Sequence, residues 1–482
     1  MIQNTFRKLH SNHLIDKTPH IHNTCHISIN SFKYNNMNKD AMETDDSNVN
    51  NNKSKVVEVL ISFKTTFDKY RVTEEPIAIP TRLKRFGLSD IVNHLLQLPK
   101  QVPFDFLLND TLLRGSLLKG IQTQKLSTEN VIELVYIPAL LSPEVDATIT
   151  SPDWIACLDS GIHGFVFSGS YDGSISIDTH SGKQVATLKA HTGPVKGISV
   201  AKTADNNNNL IVVSGSQDRI LKTWKGEYNN AKKKVSSTLI QYAMGNGHTR
   251  EITDVAIGPS RDIVASTSWD HTVRMWKLPV SNDDGSSEPS LKKRKGKNNR
   301  NNKNLDEQKE MECLHVLKEH TGASVSLAWA SQRSVYSGGM DRRIVSWDVE
   351  NGQLNNSMNC THAVTSLDYS PQSGIIASGH PDHCIRLWDP RTKSDSLVLK
   401  SLKGHKQWVS DVCWAPYNEF LLSSVSYDGT MKIWDSRALM PLHTVKDAHE
   451  LKAKILCVDW KVEDTIVSGA SDCKISVNKI KK

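Results

Sequence analysis

The stretch Ser378–Pro390, SGHPDHCIRLWDP, closes on an aromatic–acid pair and carries Asp382 seven residues before Asp389. Close relatives of it return along the chain: SGSYDGSISIDT from Ser168, SGSQDRILKTW from Ser214, STSWDHTVRMW from Ser266, SGGMDRRIVSWD from Ser337, SVSYDGTMKIWD from Ser424 and SGASDCKISVN from Ser468. The shared acids Asp172, Asp218, Asp270, Asp341, Asp382, Asp428 and Asp472 are separated by 46, 52, 71, 41, 46 and 44 residues. Internal repetition at this period marks a radial fold of four-strand units, and seven units predict a closed, all-β seven-bladed propeller. The ring is assigned to residues 151–480.

Six histidines precede the shared acids by 20 to 27 residues: His191, His248, His320, His362, His405 and His449. Serine, histidine and aspartate recurring together invite a hydrolase reading. A catalyst needs one activated nucleophile, however, and here the same set repeats around a ring. The plainer expectation is a polar network in which each imidazole bridges a turn aspartate and a strand serine while an indole N–H completes the set. Removing one partner would strand the others at a cost of about 1–3 kcal/mol. The first unit lacks such a histidine and the seventh lacks the tryptophan, so the ring is expected to close between them. A strand near Leu141–Ile149, within a linker at 138–150, is the candidate for that closure, which removes exposed sheet edges.

The 71-residue interval holds an excess at Ser281–Glu310, read as a disordered basic insertion, and NNNN at Asn206–Asn209 is read as a smaller one. Within the larger insertion lie Lys292, Lys293, Arg294, Lys295 and Lys297, in a run with seven basic residues and no acid between Leu291 and Lys303. That clustering gives the net charge of +7 its weight. Such a run reads as a nuclear import signal, as a contact to RNA phosphates, or as a solubilising segment. KKK at Lys232–Lys234 could add to a phosphate contact, but without neighbouring aromatics base recognition is not expected. Trp269, Trp408 and Tyr427 are candidates for protein contact on the ring surface.

Ahead of the ring, residues 55–137 follow a different pattern. VVEVLISF and KYRVTE read as two strands, LSDIVNHLLQL as a helix capped by Ser89, and FDFLLND and NVIELVYI as two further strands. The order predicts a small α+β domain with one helix across a mixed sheet. Residues 1–54 are polar and read as a disordered extension, with Met37 or Met42 as alternative starts.

Several chemistries find no support. The eight cysteines include no CxxC pair, and GxxxxGK[ST], GxGxxG and HExxH are all missing. His380 and His383 form an HPDH pair, read as a surface turn without a third metal ligand. No stretch approaches 18 apolar residues, the length of a membrane-spanning helix. The expectation is a binding protein without enzyme activity, cofactor or intrinsic metal.

The stretch PTRLKRFGLSDIVNHLLQLPKQVPFDFLLNDTLLRGSL, Pro80–Leu117, combined with the repeats, resembles the eukaryotic WD-repeat ribosome-biogenesis proteins of a three-member nucleolar complex. The resemblance covers about Val56 to Val477 and implies a ubiquitin-like (β-grasp) head before a WD40 propeller. It further implies a scaffold for maturation of the large (60S) subunit in the nucleus, nucleolus and nucleoplasm. The implied partners are a block-of-proliferation-type WD40 protein, a pescadillo-type protein, the pre-60S particle with its rRNA, and the AAA ATPase midasin. The family's key head residue is a glutamate after the LLR…SL segment. The matching stretch KLSTEN places it at Glu129, which would complete Mg²⁺ coordination in midasin's metal-ion-dependent adhesion site. A general WD40 adaptor, such as a ubiquitin-ligase substrate receptor, is the alternative, disfavoured by that head.

Overall fold

The computed structural model describes residues 57–203, 209–229, 234–236, 238–278, 309–392 and 398–481. The extension 1–54, the residues Lys292 to Lys297, and Lys232 and Lys233 lie outside the described residues. Among the described residues no helix is long and apolar enough to cross a membrane.

The head comprises β1 (Glu58–Lys64), β2 (Ile77–Pro80), α1 (Arg85–Leu96), β3 (Phe104–Leu108), β4 (Thr111–Leu112), α2 (Leu117–Thr123) and β5 (Ile132–Pro138). Its mixed sheet runs β2-β1-β5-β3-β4, with β1 parallel to β5 and the other pairs antiparallel. Alternate residues Phe104, Phe106, Leu134 and Tyr136 point to one face, where Leu88 and Val92 of α1 seal them. This is the ubiquitin-like arrangement.

Three local expectations for the head fail. In place of the single helix there are two, α2 adding Leu117 and Ile121 to the same core. The partner of β1 is not KYRVTE but Ile77–Pro80, bracketed by Pro76 and Pro80. As the outermost strand it needs no amide on its free side, so a proline is tolerated there. Lys69–Glu74 instead crosses the end of the sheet, Val72 N–H donating to the Tyr136 hydroxyl at 3.1 Å. Nor does Ser89 cap α1, which starts four residues earlier. Ser89 is buried inside the helix, and its hydroxyl accepts the Phe104 N–H at 3.1 Å.

The ring follows as seven sheets among the described residues. The first blade uses Ile155–Asp159, Phe165–Ser170, Ser174–Thr179 and Gln184–Lys189 from inside to outside. Later inner strands are Val195–Lys202, Ile252–Ile257, Ser324–Trp329, Ser366–Tyr369, Val409–Trp414 and Ile455–Val462. In five blades the glycine after the first serine lets the next blade close in. A Cβ at Gly169, Gly215, Gly338, Gly379 or Gly469 would lie 2.5–2.9 Å from a side chain, in each case including a Val or Ile at or just before the start of the following inner strand. The seventh blade takes its outer strand, β6 (Glu144–Thr150), from before the first: β6 pairs antiparallel with Lys474–Lys479.

Of the expected insertions, Asn209 and Lys309–Glu310 fall within the described residues and are paired; the rest lie outside them. Asn209 pairs with Glu227, and Lys309–Glu310 forms a strand parallel to Ala243–Met244 on the second blade. Asn209 extends the ladder between the blade's two middle strands, while Lys309–Glu310 pairs at the blade's free edge, where composition alone suggested no structure.

Around the channel a second device joins the blades. In each inner strand a side-chain oxygen accepts an N–H from the next: Asp159 from Val200, Ser199 from Ile257, Asp254 from Leu327, Ser326 from Leu367, Asp368 from Trp414, Asp411 from Val458 and Asp459 from Ser160, at 2.5–3.1 Å. Burial pushes Asp254 and Asp411 up to about 7 and Asp368 to about 6. Lys461 bonds Asp159 at 2.7 Å and neutralises the junction of the seventh and first blades.

Ile149 of β6 is buried in the closing blade. Ile149→Ala should lower stability by about 2–4 kcal/mol, read as a shift of the urea midpoint, whereas the same change at exposed Val145 should fall within about 0.5 kcal/mol.

Candidate functional site

Four blades hold the complete polar set. His191, His248, His320 and His405 place Nδ1 at 2.8–3.1 Å from Asp218, Asp270, Asp341 and Asp428. Their Nε2 atoms lie 2.7–2.8 Å from Ser214, Ser266, Ser337 and Ser424. Trp224, Trp276, Trp347 and Trp434 donate their indole N–H to the same hydroxyls at 2.7–2.9 Å. In the seventh blade His449 bridges Asp472 and Ser468, with Asn478 where the tryptophan would stand.

Donors and acceptors run one way through each set. The indole can only donate, so the serine hydroxyl donates its O–H to Nε2, which accepts, and Nδ1–H is left to donate to the carboxylate. Burial drives the His248 and His405 pKa values down, keeping those rings neutral. Against the upward push of burial, hydrogen bonds from His248 and Thr272 hold Asp270 well below the usual carboxylate range, and those from His405 and Thr430 do the same for Asp428. The serine's proton is thus committed to the imidazole and one lone pair to the indole, with all four imidazoles fully buried.

The fifth blade departs from this pattern. His362 is half-exposed and reaches Asp382 only at 3.4 Å. The imidazole against Ser378 is that of His380, fully buried, with Nε2 2.7 Å from the hydroxyl and Nδ1–H donating to the Ala363 carbonyl at 2.8 Å. Trp388 completes the chain at 2.7 Å. Asp382, released from an imidazole, takes both Arg386 nitrogens at 3.0 and 2.5 Å. The expected surface position of His380 is therefore wrong, as is the grouping of His362 with the other bridging histidines. A spacing signal was present. His191, His248 and His405 precede Val195, Ile252 and Val409 by four residues, whereas His362 precedes Val364 by two. Two residues fewer leave His362 outside the interior.

Of the candidate contact residues, Trp408 and Trp269 are half-exposed. Trp408 stacks on Tyr427 with ring centroids 6.1 Å apart, and the Tyr427 N–H bonds the Trp408 carbonyl. The first blade repeats the backbone bond with Trp154 and Tyr171, whose rings meet edge to face 5.5 Å apart, a pair the sequence reading missed. The same backbone bond, from the residue after the second strand to the residue before the first, sets both pairs on one face of the ring.

Glu129 sits in the exposed loop between α2 and β5, its N–H bonded to the Ser127 hydroxyl at 3.2 Å. Among the described residues no group of three or more His, Cys, Asp or Glu side chains converges to hold a metal ion.

His380→Ala should cost about 1–3 kcal/mol at neutral pH, and His362→Ala no more than about 0.5 kcal/mol. Burial pushes the His380 pKa down to about 4, below its ordinary value of 6.5. The folded ring binds fewer protons than the unfolded one between these values, so its contribution is complete above 6.5 and lost as pH falls toward 4. The gap between wild type and His380→Ala in urea unfolding should narrow across that window.

Comparison with known proteins follows the same division of the chain. The family model described as the NLE (NUC135) domain matches residues 59–121. The model of the WD domain, G-beta repeat, matches residues 182–225, 240–277, 311–348, 353–389 and 396–435. Each WD match begins at or ahead of the outer strand of one blade and runs into the next, the one-strand offset that β6 resolves. A Dictyostelium discoideum protein named as a ribosome biogenesis protein WDR12 homolog is 33% identical over 465 residues, 91% of this chain and 98% of its own. The Arabidopsis thaliana protein of that name is 31% identical over 87% of this chain and 96% of its own. The ribosome biogenesis protein YTM1 of Kluyveromyces lactis is 30% identical over 85% and 94%.

Proposed function

Since the chain belongs to the family of the ribosome biogenesis proteins WDR12 and YTM1, we propose that it is a non-enzymatic assembly factor for the large ribosomal subunit. The ring joins a block-of-proliferation-type WD40 protein, itself bound to a pescadillo-type protein, on the pre-60S particle. The head offers the Glu129 carboxylate to the Mg²⁺ in midasin's adhesion site, and midasin's ATP hydrolysis supplies the force that removes the complex. The chain itself brings no cofactor, and it works in the nucleus and nucleolus.

Glu129 carries this reading. Its side chain lies exposed at a loop tip, and a carboxylate is the ligand a hard divalent cation prefers. The absence of turnover is supported by the serine–histidine–aspartate sets, whose groups bond one another inside the blades.

The isolated metal-site domain of midasin should bind the full chain only with Mg²⁺ present. Glu129→Gln removes charge at constant size and Glu129→Asp shortens reach. Each should weaken binding by about 10-fold or more while ring binding to the WD40 partner stays intact. Equal affinity of wild type and Glu129→Gln would sink the assignment. Deleting Lys292–Lys303 should lower nuclear accumulation of a fluorescent fusion, and an unchanged distribution would reject the import reading.

A further inference from the structure

The head's sheet has two faces and α1 covers only one. On the other, strand alternation places Leu107 of β3, Val135 and Ile137 of β5, and Leu112 of β4. Leu107 and Leu112 are nevertheless only 4% and 7% exposed. What covers them is the sixth blade: Ala438 and Leu442, from the connection between strand Met431–Asp435 and outer strand His443–Val445, complete the cluster.

Polar groups frame this contact. The Arg114 guanidinium donates to the carbonyls of Pro441 at 2.9 Å and Leu442 at 3.2 Å. These carbonyls belong to an irregular connection, where a side-chain donor replaces a ladder partner. His443 Nε2–H donates to the Leu140 carbonyl at 2.8 Å, fixing the short segment between β5 and β6. Asp105 is buried on the same sheet face and pairs with Arg85 at 2.7 Å. An apolar patch rimmed by directional bonds is the anatomy of a specific interface.

We propose that the second sheet face of the head is an internal docking surface for the Ala438–His443 connection, making head and ring one rigid body. A ubiquitin-like fold on a free tether could offer that face to a partner. Here it is occupied by the chain's own ring, so partners reach the head by its remaining surface, and a pull on the head passes to the ring through the seam as well as through the linker. This inference does not depend on the role of Glu129.

The test uses the full chain and changes one residue on each side of the seam, neither of them in the head's core. Leu442→Asp, and separately Arg114→Ala, should raise the radius of gyration in small-angle scattering. Both should also speed chymotryptic cleavage at Leu140–Leu141 by about 10-fold, because local opening governs such cleavage. Glu129→Ala should change neither. Wild-type scattering that requires a freely moving head would overturn the proposal, as would identical scattering and cleavage rates for wild type and both seam variants.

Discussion

Strand β6 pairing with the last strand of the chain is the interaction on which the rest of the molecule depends. A propeller blade is an antiparallel sheet with two free edges, and a ring of them is stable only if the first and last blades are joined. Because each repeat begins at or ahead of the outer strand of the previous blade, the final blade lacks an outer strand of its own. β6 fills that place. It also sets the head, which ends at Pro138, beside the closure, so a strand needed for stability determines where the head sits.

Two layers of polar bonds then give the ring its precision. Near the channel, one oxygen per inner strand accepts an amide from the next blade, so that all seven junctions are bonded in the same sense. Further out, the imidazole sets lock the turn between strands inside single blades. The fifth blade shows what is essential in them. His380 replaces the usual histidine from another point in the chain, and a carbonyl replaces the aspartate, yet the path from indole to hydroxyl to imidazole persists. What is kept is a complete run of donors and acceptors in a dry interior, where an unpaired group is costly.

Outside these bonded sets, the ring presents half-exposed Trp154, Trp269 and Trp408 at its surface. One face carries the stacked pair Trp408–Tyr427 and the edge-to-face pair Trp154–Tyr171, large rigid side chains of the kind that anchor protein interfaces. The head has one sheet face against α1 and the other against the ring, with the loop holding Glu129 left in solvent.

The sequence by itself determined the number of blades, because seven copies of a turn bearing an aspartate at a near-constant interval admit few other folds. It also determined which residue types form the turn networks, since donor and acceptor chemistry is written in the side chains. It did not determine that Ile77–Pro80 rather than Lys69–Glu74 would pair with β1, because two short segments of similar propensity differ only in which neighbour they reach. Nor did it decide between His362 and His380, whose roles depend on how two residues of loop length place a ring in three dimensions. The inner ring of Asp254, Asp368, Asp411 and Asp459 and the seam of Arg114 with Pro441 and Leu442 belong to tertiary structure alone. Their partners are distant in sequence, and only the closed ring brings an oxygen of one segment within bonding distance of an amide or guanidinium of another.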